Sequence, residues 1–209
     1  REHIGARESA EIIFTRGITE SINTIAFGMG TLIKPHQNVV ITALEHHSNI
    51  VPWQMLCERT GATLRYIPIN EKGELVLHSL EEIIDENTAM VAFNHISNSL
   101  GTINPVSTIL MRAKAVGAWT LVDGAQSGPH AKVNVQDWDL DFFTLASHKM
   151  YGPTGLGILY GKRERLEALP PYQGGGEMIA TVTLEKSTYA EIPHKFEAGT
   201  PHIEGGIGF

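Results

Sequence analysis

One cysteine, Cys57, is present in the whole chain, so no internal disulfide framework can form. That usage suits a reducing compartment, with the cytoplasm as the default. Basic residues are the minority. Sixteen Lys and Arg stand against 23 Asp and Glu, a formal charge of -7 with no basic stripe to offset it, which argues against nucleic acid as a partner. No apolar run approaches the roughly 20 residues needed to cross a bilayer, and no secretory signal is visible, so no membrane partner is expected. Metal-ligand pairs are missing as well. Ten histidines occur, but "EHH" at 45–47 is their only tight cluster, and no second His or Cys pair follows at a zinc-like spacing. Adjacent residues of a strand face opposite ways, so His46 and His47 do not easily share one ion, and no metal site is expected.

What remains is material for one soluble globular domain, or most of one: 209 residues, 42% hydrophobic, with 21 Gly and 10 Pro. Seven short β-rich runs recur: "EIIFT", "NVVITAL", "TLRYIPI", "AMVAFNH", "WTLVD", "DFFTLAS" and "GLGILYG". Between the first five lie "TESINTIAFGMGTLI", "IVPWQMLCERTGA", "LHSLEEIIDEN" and "VSTILMRAKAVGA", with apolar residues at helical spacing. Strands alternating with helices predict an α/β fold, a doubly wound and mostly parallel seven-stranded sheet built from right-handed crossovers. The continuous apolar strands agree, because a parallel sheet is covered on both faces. After residue 170 the chain turns rich in Gly and Pro and loses its period, and a loop of that length in a compact domain is usually functional.

Ligands of an open parallel sheet sit outside the carboxyl ends of its strands. The first such end is "TRGITES", where a helix starting near Thr19 would offer backbone N–H groups and a positive dipole end to a phosphate. On that stretch alone an ordinary Thr N-cap is the simpler reading. His46 in "EHHSN" reads as a satisfied interior histidine, the commoner case, or as a flat ring facing a ligand, and Asn98 in "NHISNSLGTINPV" as a turn residue. Asp123 is different. Four apolar residues run straight into it, and a buried carboxylate is costly unless a cation or donor faces it. Gly124 and Ala125 then leave room, and Gln126 supplies an amide. Lys149, in "LASHKMYGPTG", follows 26 residues later, a spacing that allows one crossover back to the same sheet edge. A lysine in a partly desolvated pocket can supply neutral amine to a carbonyl. Carboxylate, amine and helix start together match pyridoxal 5'-phosphate, whose pyridine nitrogen, aldehyde and phosphate want those three partners. The absence of a G-x-G-x-x-G opening the first helix disfavours a dinucleotide site.

The motifs "TRGITESIN", "EHHSNIVPWQML", "HISNSLGTINPV", "VDGAQS", "SHKMYGPTGLGILYGK", "GGGEMIATVTLE" and "FEAGTPHIEGGIG" run in order along all 209 residues. Together they resemble the SUF-type cysteine desulfurases, in the class V aminotransferase group of fold-type I pyridoxal-phosphate enzymes. The resemblance implies roles. Lys149 would hold the cofactor covalently, and Asp123 would pair with the ring nitrogen. Gln126 would bond the phenolic oxygen, His46 would stack on the ring and assist proton transfer, and Asn98 would lie near the ring and the substrate carboxylate. Thr19 and His148 would hold the phosphate. Thr200 would reach the phosphate of a neighbouring subunit, which implies a homodimer.

Two positions depart from the family pattern. Ile18 stands where many relatives have a second Thr, which matters little if its backbone N–H does the binding. Ala146 stands where a serine is common, with Ser147 one residue later as its replacement, although such a shift along a strand turns the side chain to the other face. The chain opens without Met and stops within "GGIGF", so residues 1–209 are expected to be the large domain of a longer chain. An upstream segment and a small C-terminal domain would then be missing, and with them the acceptor cysteine and the arginine for the substrate carboxylate. Cys57 is no substitute, because it sits among apolar neighbours on a helix and packs as a small hydrophobe. The implied reaction is L-cysteine to L-alanine with a persulfide left on the enzyme, destined for an acceptor protein and iron–sulfur cluster assembly. A selenocysteine lyase, another class V β-lyase and a non-catalytic fragment of such an enzyme stand as alternatives.

Overall fold

Seven strands form one sheet in the computed structural model, which describes all of residues 1–209. They are β1 (Ile12–Thr15), β2 (Asn38–Thr42), β3 (Thr63–Ile67), β4 (Thr88–Asn94), β5 (Trp119–Asp123), β6 (Phe142–Ala146) and β7 (Gly157–Gly161). Their spatial order is β1-β7-β6-β5-β4-β2-β3. Only β7 runs against the rest, pairing antiparallel with both β1 and β6. The remaining neighbours are parallel, as the alternation of strand and helix predicts.

Four helices fill the connections among the first five strands: α1 (Ile18–Met29), α2 (Val51–Thr60), α3 (Leu80–Ile83) and α4 (Val106–Ala115). Successive strand residues feed opposite sides, as the pleat requires. Val39, Ile41, Met90, Ala92, Leu121 and Phe142 pack with α1 and α2, around Ile22, Ile25, Trp53 and Leu56. Val40, Val91, Phe93, Val122 and Phe143 pack with α3 and α4, around Leu80, Ile109, Leu110 and Ala113. Two apolar layers thus clamp one sheet, so its central strands β2, β4, β5 and β6 have no solvent face, while the edge strand β3 keeps one. Cys57 lies in the first layer, and burial pushes its thiol up to about 11.

Three local expectations need correction. The segment "LHSLEEIIDEN" forms a single helical turn rather than a helix. Its carboxyl end is captured by Asp85, which accepts the Asn87 N–H (2.9 Å), the Asn38 amide (3.1 Å) and the Arg65 guanidinium (2.7 Å), so side-chain bonds outcompete the helical ladder. His46 and His47 are not on a strand. They follow β2, with His46 capping a 3₁₀ turn over His47–Asn49. The Gly-rich segment after residue 170 contains a two-stranded antiparallel ribbon, β8 (Ile179–Val182) and β9 (Ser187–Tyr189).

The entry into α1 depends on two glycines. Gly17 caps the helix with φ at 144°, where side chains other than hydrogen are strained. Gly157 on β7 lies beneath it. A Cβ on Gly157 would stand 2.5 Å from the Gly17 Cα and 2.8 Å from the Leu145 carbonyl, both backbone atoms with no freedom to yield. Gly157→Ala is therefore expected to cost about 1–3 kcal/mol, lowering the melting temperature by roughly 2–4 °C per kcal/mol. An unchanged melting curve would show that this approach tolerates a methyl group.

Candidate active site

The carboxyl ends of β2, β4, β5 and β6 open onto a cavity of about 340 Å³, together with the start of α1. That size falls within the roughly 300–1,000 Å³ typical of small-molecule sites. Its lining includes Gly17, Ile18 and Thr19 from α1, His46 and Ser48 beyond β2, and Asn94 and Asn98 at and beyond β4. Asp123 and Gln126 come from the end of β5, and Ala146, His148 and Lys149 from the end of β6. Carboxylate and amine therefore share one cavity, delivered by adjacent parallel strands.

Asp123 is the last residue of β5 and is only 3% exposed. One oxygen accepts the Ala125 N–H at 2.8 Å. Burial raises its pKa, against the pull of that N–H and of the neighbouring Lys149 and His46. Such a carboxylate gains from a further cation or N–H brought to its free oxygen. Lys149 closes a 3₁₀ turn over Ser147–Lys149, three residues past β6 rather than on the strand itself. It enters none of the ion pairs of the chain, so no carboxylate immobilises its amine.

His46 has a defined proton arrangement. The Ser48 backbone N–H donates to its Nδ1 at 3.1 Å. A backbone amide can only donate, so Nδ1 carries the lone pair and the neutral ring keeps its proton on Nε2. At the start of α1, Thr19 is the second helical residue and not the N-cap, which is Gly17. The N–H groups of the first turn have no intrahelical acceptor, which leaves them for an anion. The Glu20 carboxylate in that turn is drawn back onto the Arg16 N–H at 2.6 Å. The Ile18 side chain belongs to the apolar layer beneath α1, so its contribution to the cavity edge rests on its backbone.

Two of the residues picked from sequence lie elsewhere. Ser147 does not line the cavity, and its fully buried hydroxyl has no hydrogen-bond partner and packs against Gly152. The one-residue offset from Ala146 turns it to the far side, so it does not replace the missing serine. Thr200 lines a separate, larger cavity of about 590 Å³ with Pro201, His202 and Gln173, which meets the first at Arg16 and Glu20. That larger cavity contains neither Asp123 nor Lys149. Sequence reading also passed over Ser48 and Asn94. Asn94 ends β4, so the strand-end rule that singled out Asp123 applied to it as well.

Behind this wall lies Glu45, buried and bonded to the ends of two strands. Burial pushes its pKa up to about 8, although Thr42, Asn49 and the Asn94 N–H each stabilise the charge, and the neighbouring Asp123 adds to the rise. The folded chain holds this proton more tightly than an unfolded chain, whose glutamate titrates near 4.5. The contribution to stability is therefore complete below the unfolded pKa and is lost as pH rises from there through about 8. Its slope is on the order of 1.4 kcal/mol per pH unit. Urea unfolding of the native protein and of Glu45→Gln should show their stability difference shrinking across that window. A difference independent of pH would contradict the assignment.

The profile of the family described as aminotransferase class-V matches residues 1–209. The chain belongs to the class-V aminotransferase family. Among class-V relatives, a cysteine desulfurase of Cronobacter sakazakii is 53% identical over 208 residues, covering 99% of this chain and 51% of that protein. A cysteine desulfurase of Enterobacter sp. (strain 638) is 52% identical over 207 residues, covering 98% and 51%. Among solved structures, a cysteine desulfurase of Escherichia coli superposes with a TM-score of 0.97 at 38% identity, covering 99% of this chain and 52% of that one. The chain spans about half the length of the curated relatives it matches.

Proposed function

We propose that this cavity binds pyridoxal 5'-phosphate and that the whole protein is a cysteine desulfurase of the SUF type. One observation carries the reading: Asp123 and Lys149 line the same cavity from adjacent strands, beside a free helix start. The donor set fits the cofactor group by group. Asp123 has an oxygen to offer a protonated ring nitrogen, Lys149 an amine for the aldehyde, and the first turn of α1 with Thr19 and His148 a cradle for the phosphate. When bound, the cofactor supplies an electron sink for the bonding pair released at the substrate Cα.

The side chains divide the remaining work. Asp123 would face the ring nitrogen and Gln126 would offer its amide to the phenolic oxygen. His46 would cover the ring, with Nδ1 held by the Ser48 N–H and the Nε2 proton left to present. Lys149 moves the proton at the substrate Cα. Asn98 borders the substrate carboxylate. The acceptor is a thiolate from outside these residues, since Cys57 is buried and its thiol stays protonated at neutral pH. That thiolate takes the substrate sulfur, the C–S bond breaks and Cβ gains a proton, so L-cysteine and a thiol become L-alanine and a persulfide. The proposal includes a second copy of the chain reached through Thr200, and a sulfur-acceptor protein serving iron–sulfur cluster assembly. It also includes a cytoplasmic setting, supported by the single cysteine. A structural relative at 29% identity and TM-score 0.76 is described in complex with cysteine, which supports the substrate class.

The test is direct. The protein is mixed with pyridoxal phosphate, reduced with borohydride and digested, and the adduct should map to Lys149. Alanine release from L-cysteine is then assayed. An adduct on another lysine, or none, overturns the reading.

A further inference from the structure

Glu45 stands immediately before His46 in the chain, yet its side chain points into the protein and is only 9% exposed. Three donors meet its two oxygens. Oε1 accepts the Thr42 hydroxyl at 2.5 Å and the Asn94 N–H at 3.0 Å, and Oε2 accepts the Asn49 amide at 2.7 Å. Thr42 ends β2, Asn94 ends β4 and Asn49 leads into α2. The same carboxyl therefore joins three elements around the turn that carries His46. Asn94 reinforces the joint by donating from Nδ2 to the Leu44 carbonyl at 2.7 Å.

We propose that Glu45 is a positioning residue, whose two oxygens lock the ends of β2 and β4 and the approach to α2 so that His46 and Asn94 face the cavity. This inference rests on the cofactor reading above for its purpose, but not for its geometry. Hydrogen-bond logic shows why a carboxyl is needed there. The Asn94 N–H can only donate. The Asn49 amide cannot flip, because its Oδ1 is occupied by the Trp53 indole N–H at 2.9 Å, another obligate donor. Both oxygen positions must therefore accept, and a glutamine amide set either way would place an NH₂ against a donor. A protonated Glu45 still satisfies both, because the Thr42 hydroxyl can reverse and accept its proton. Burial favours that neutral form, which leaves Asp123 as the carboxylate facing the ring nitrogen without a second negative charge behind it.

The experiment compares the full-length protein with Glu45→Gln and with Trp53→Phe, which loosens the same network at the end away from the cavity. Two readouts are taken: pyridoxal phosphate affinity by absorbance titration, and the imidazole ¹⁵N shifts of His46 without cofactor. Both variants are expected to melt earlier. Only Glu45→Gln should weaken cofactor binding, by roughly tenfold, and move the His46 nitrogens away from the Nε2–H pattern. Equal losses of stability with affinity and His46 shifts unchanged in Glu45→Gln would reduce Glu45 to a structural bond and overturn the proposal. If Glu45→Gln does not fold, Thr42→Val removes one donor at nearly constant shape and should move the His46 nitrogens in the same direction; no movement overturns the proposal. A native protein that takes up no pyridoxal phosphate would defeat the cofactor reading instead, and the His46 shifts would still decide the role of Glu45.

Discussion

If the proposed desulfurase activity holds for the full-length protein, its Lys149→Ala variant is expected to fold normally, to carry no borohydride-stable pyridoxal phosphate and to release alanine from L-cysteine at least about a thousandfold more slowly. The size follows from losing a covalent anchor and a proton-transfer group in one substitution, where acid–base assistance alone is worth about 10²–10⁴. Stability should stay within about 0.5 kcal/mol of the native value, the usual range for a position that breaks no structural contact. Lys149 belongs to that class, being half-buried on a 3₁₀ turn and bound to no carboxylate. Mass spectrometry after reduction and a melting curve read the two halves of this prediction separately. A retained adduct would place the reactive amine elsewhere.

The second large effect belongs to Asp123. In Asp123→Asn the side chain keeps its shape and still accepts the Ala125 N–H, but an NH₂ now occupies the position of the oxygen offered to the ring nitrogen. Loss of one preorganised electrostatic partner of this kind costs about 10²–10³ in rate. Stability should move the other way. Burial raises the pKa of Asp123 in the folded chain, so its contribution is complete below the unfolded pKa, near 3.9, and is lost as pH rises through the raised folded value. Wherever that carboxylate is ionised the native protein bears the cost of a buried charge, and asparagine removes it. Activity should therefore fall while the melting temperature holds or rises. A variant that lost both together would mark Asp123 as a structural residue first.

Much of this was legible because parallel sheets leave a strong trace in sequence. "WTLVD" and "DFFTLAS" are apolar on both faces and then end abruptly in polar residues, which marks both the strand and its functional end. The helices α1, α2 and α4 likewise announce themselves by period. Less legible was anything decided by competition between local and distant bonds. "LHSLEEIIDEN" has helical spacing, yet Asp85 bonds across to Asn38 and Arg65 on neighbouring strands and stops the helix after one turn. The one-residue shift already argues against Ser147 as a substitute for the missing hydroxyl, and the turn after β6 supplies what it faces instead, Gly152. Glu45 carries no local signature beside two histidines, because nothing in "LEHHSN" reveals that Asn94, 49 residues on, donates its N–H to it.

The sequence by itself determined the order along the chain of the seven sheet strands and of the helices α1, α2 and α4, and which chemical groups stand at the strand ends. Those properties follow from local periodicity and from the cost of interrupting an apolar run with charge. The tertiary structure alone decided which of those groups meet. That depends on strand order, on β7 running against its neighbours, and on the backbone contact between Gly17 and Gly157 that seats α1. Protonation was decided there too: a carboxyl titrates by what surrounds it, and the surroundings of Glu45 and Asp123 come from residues far apart along the chain.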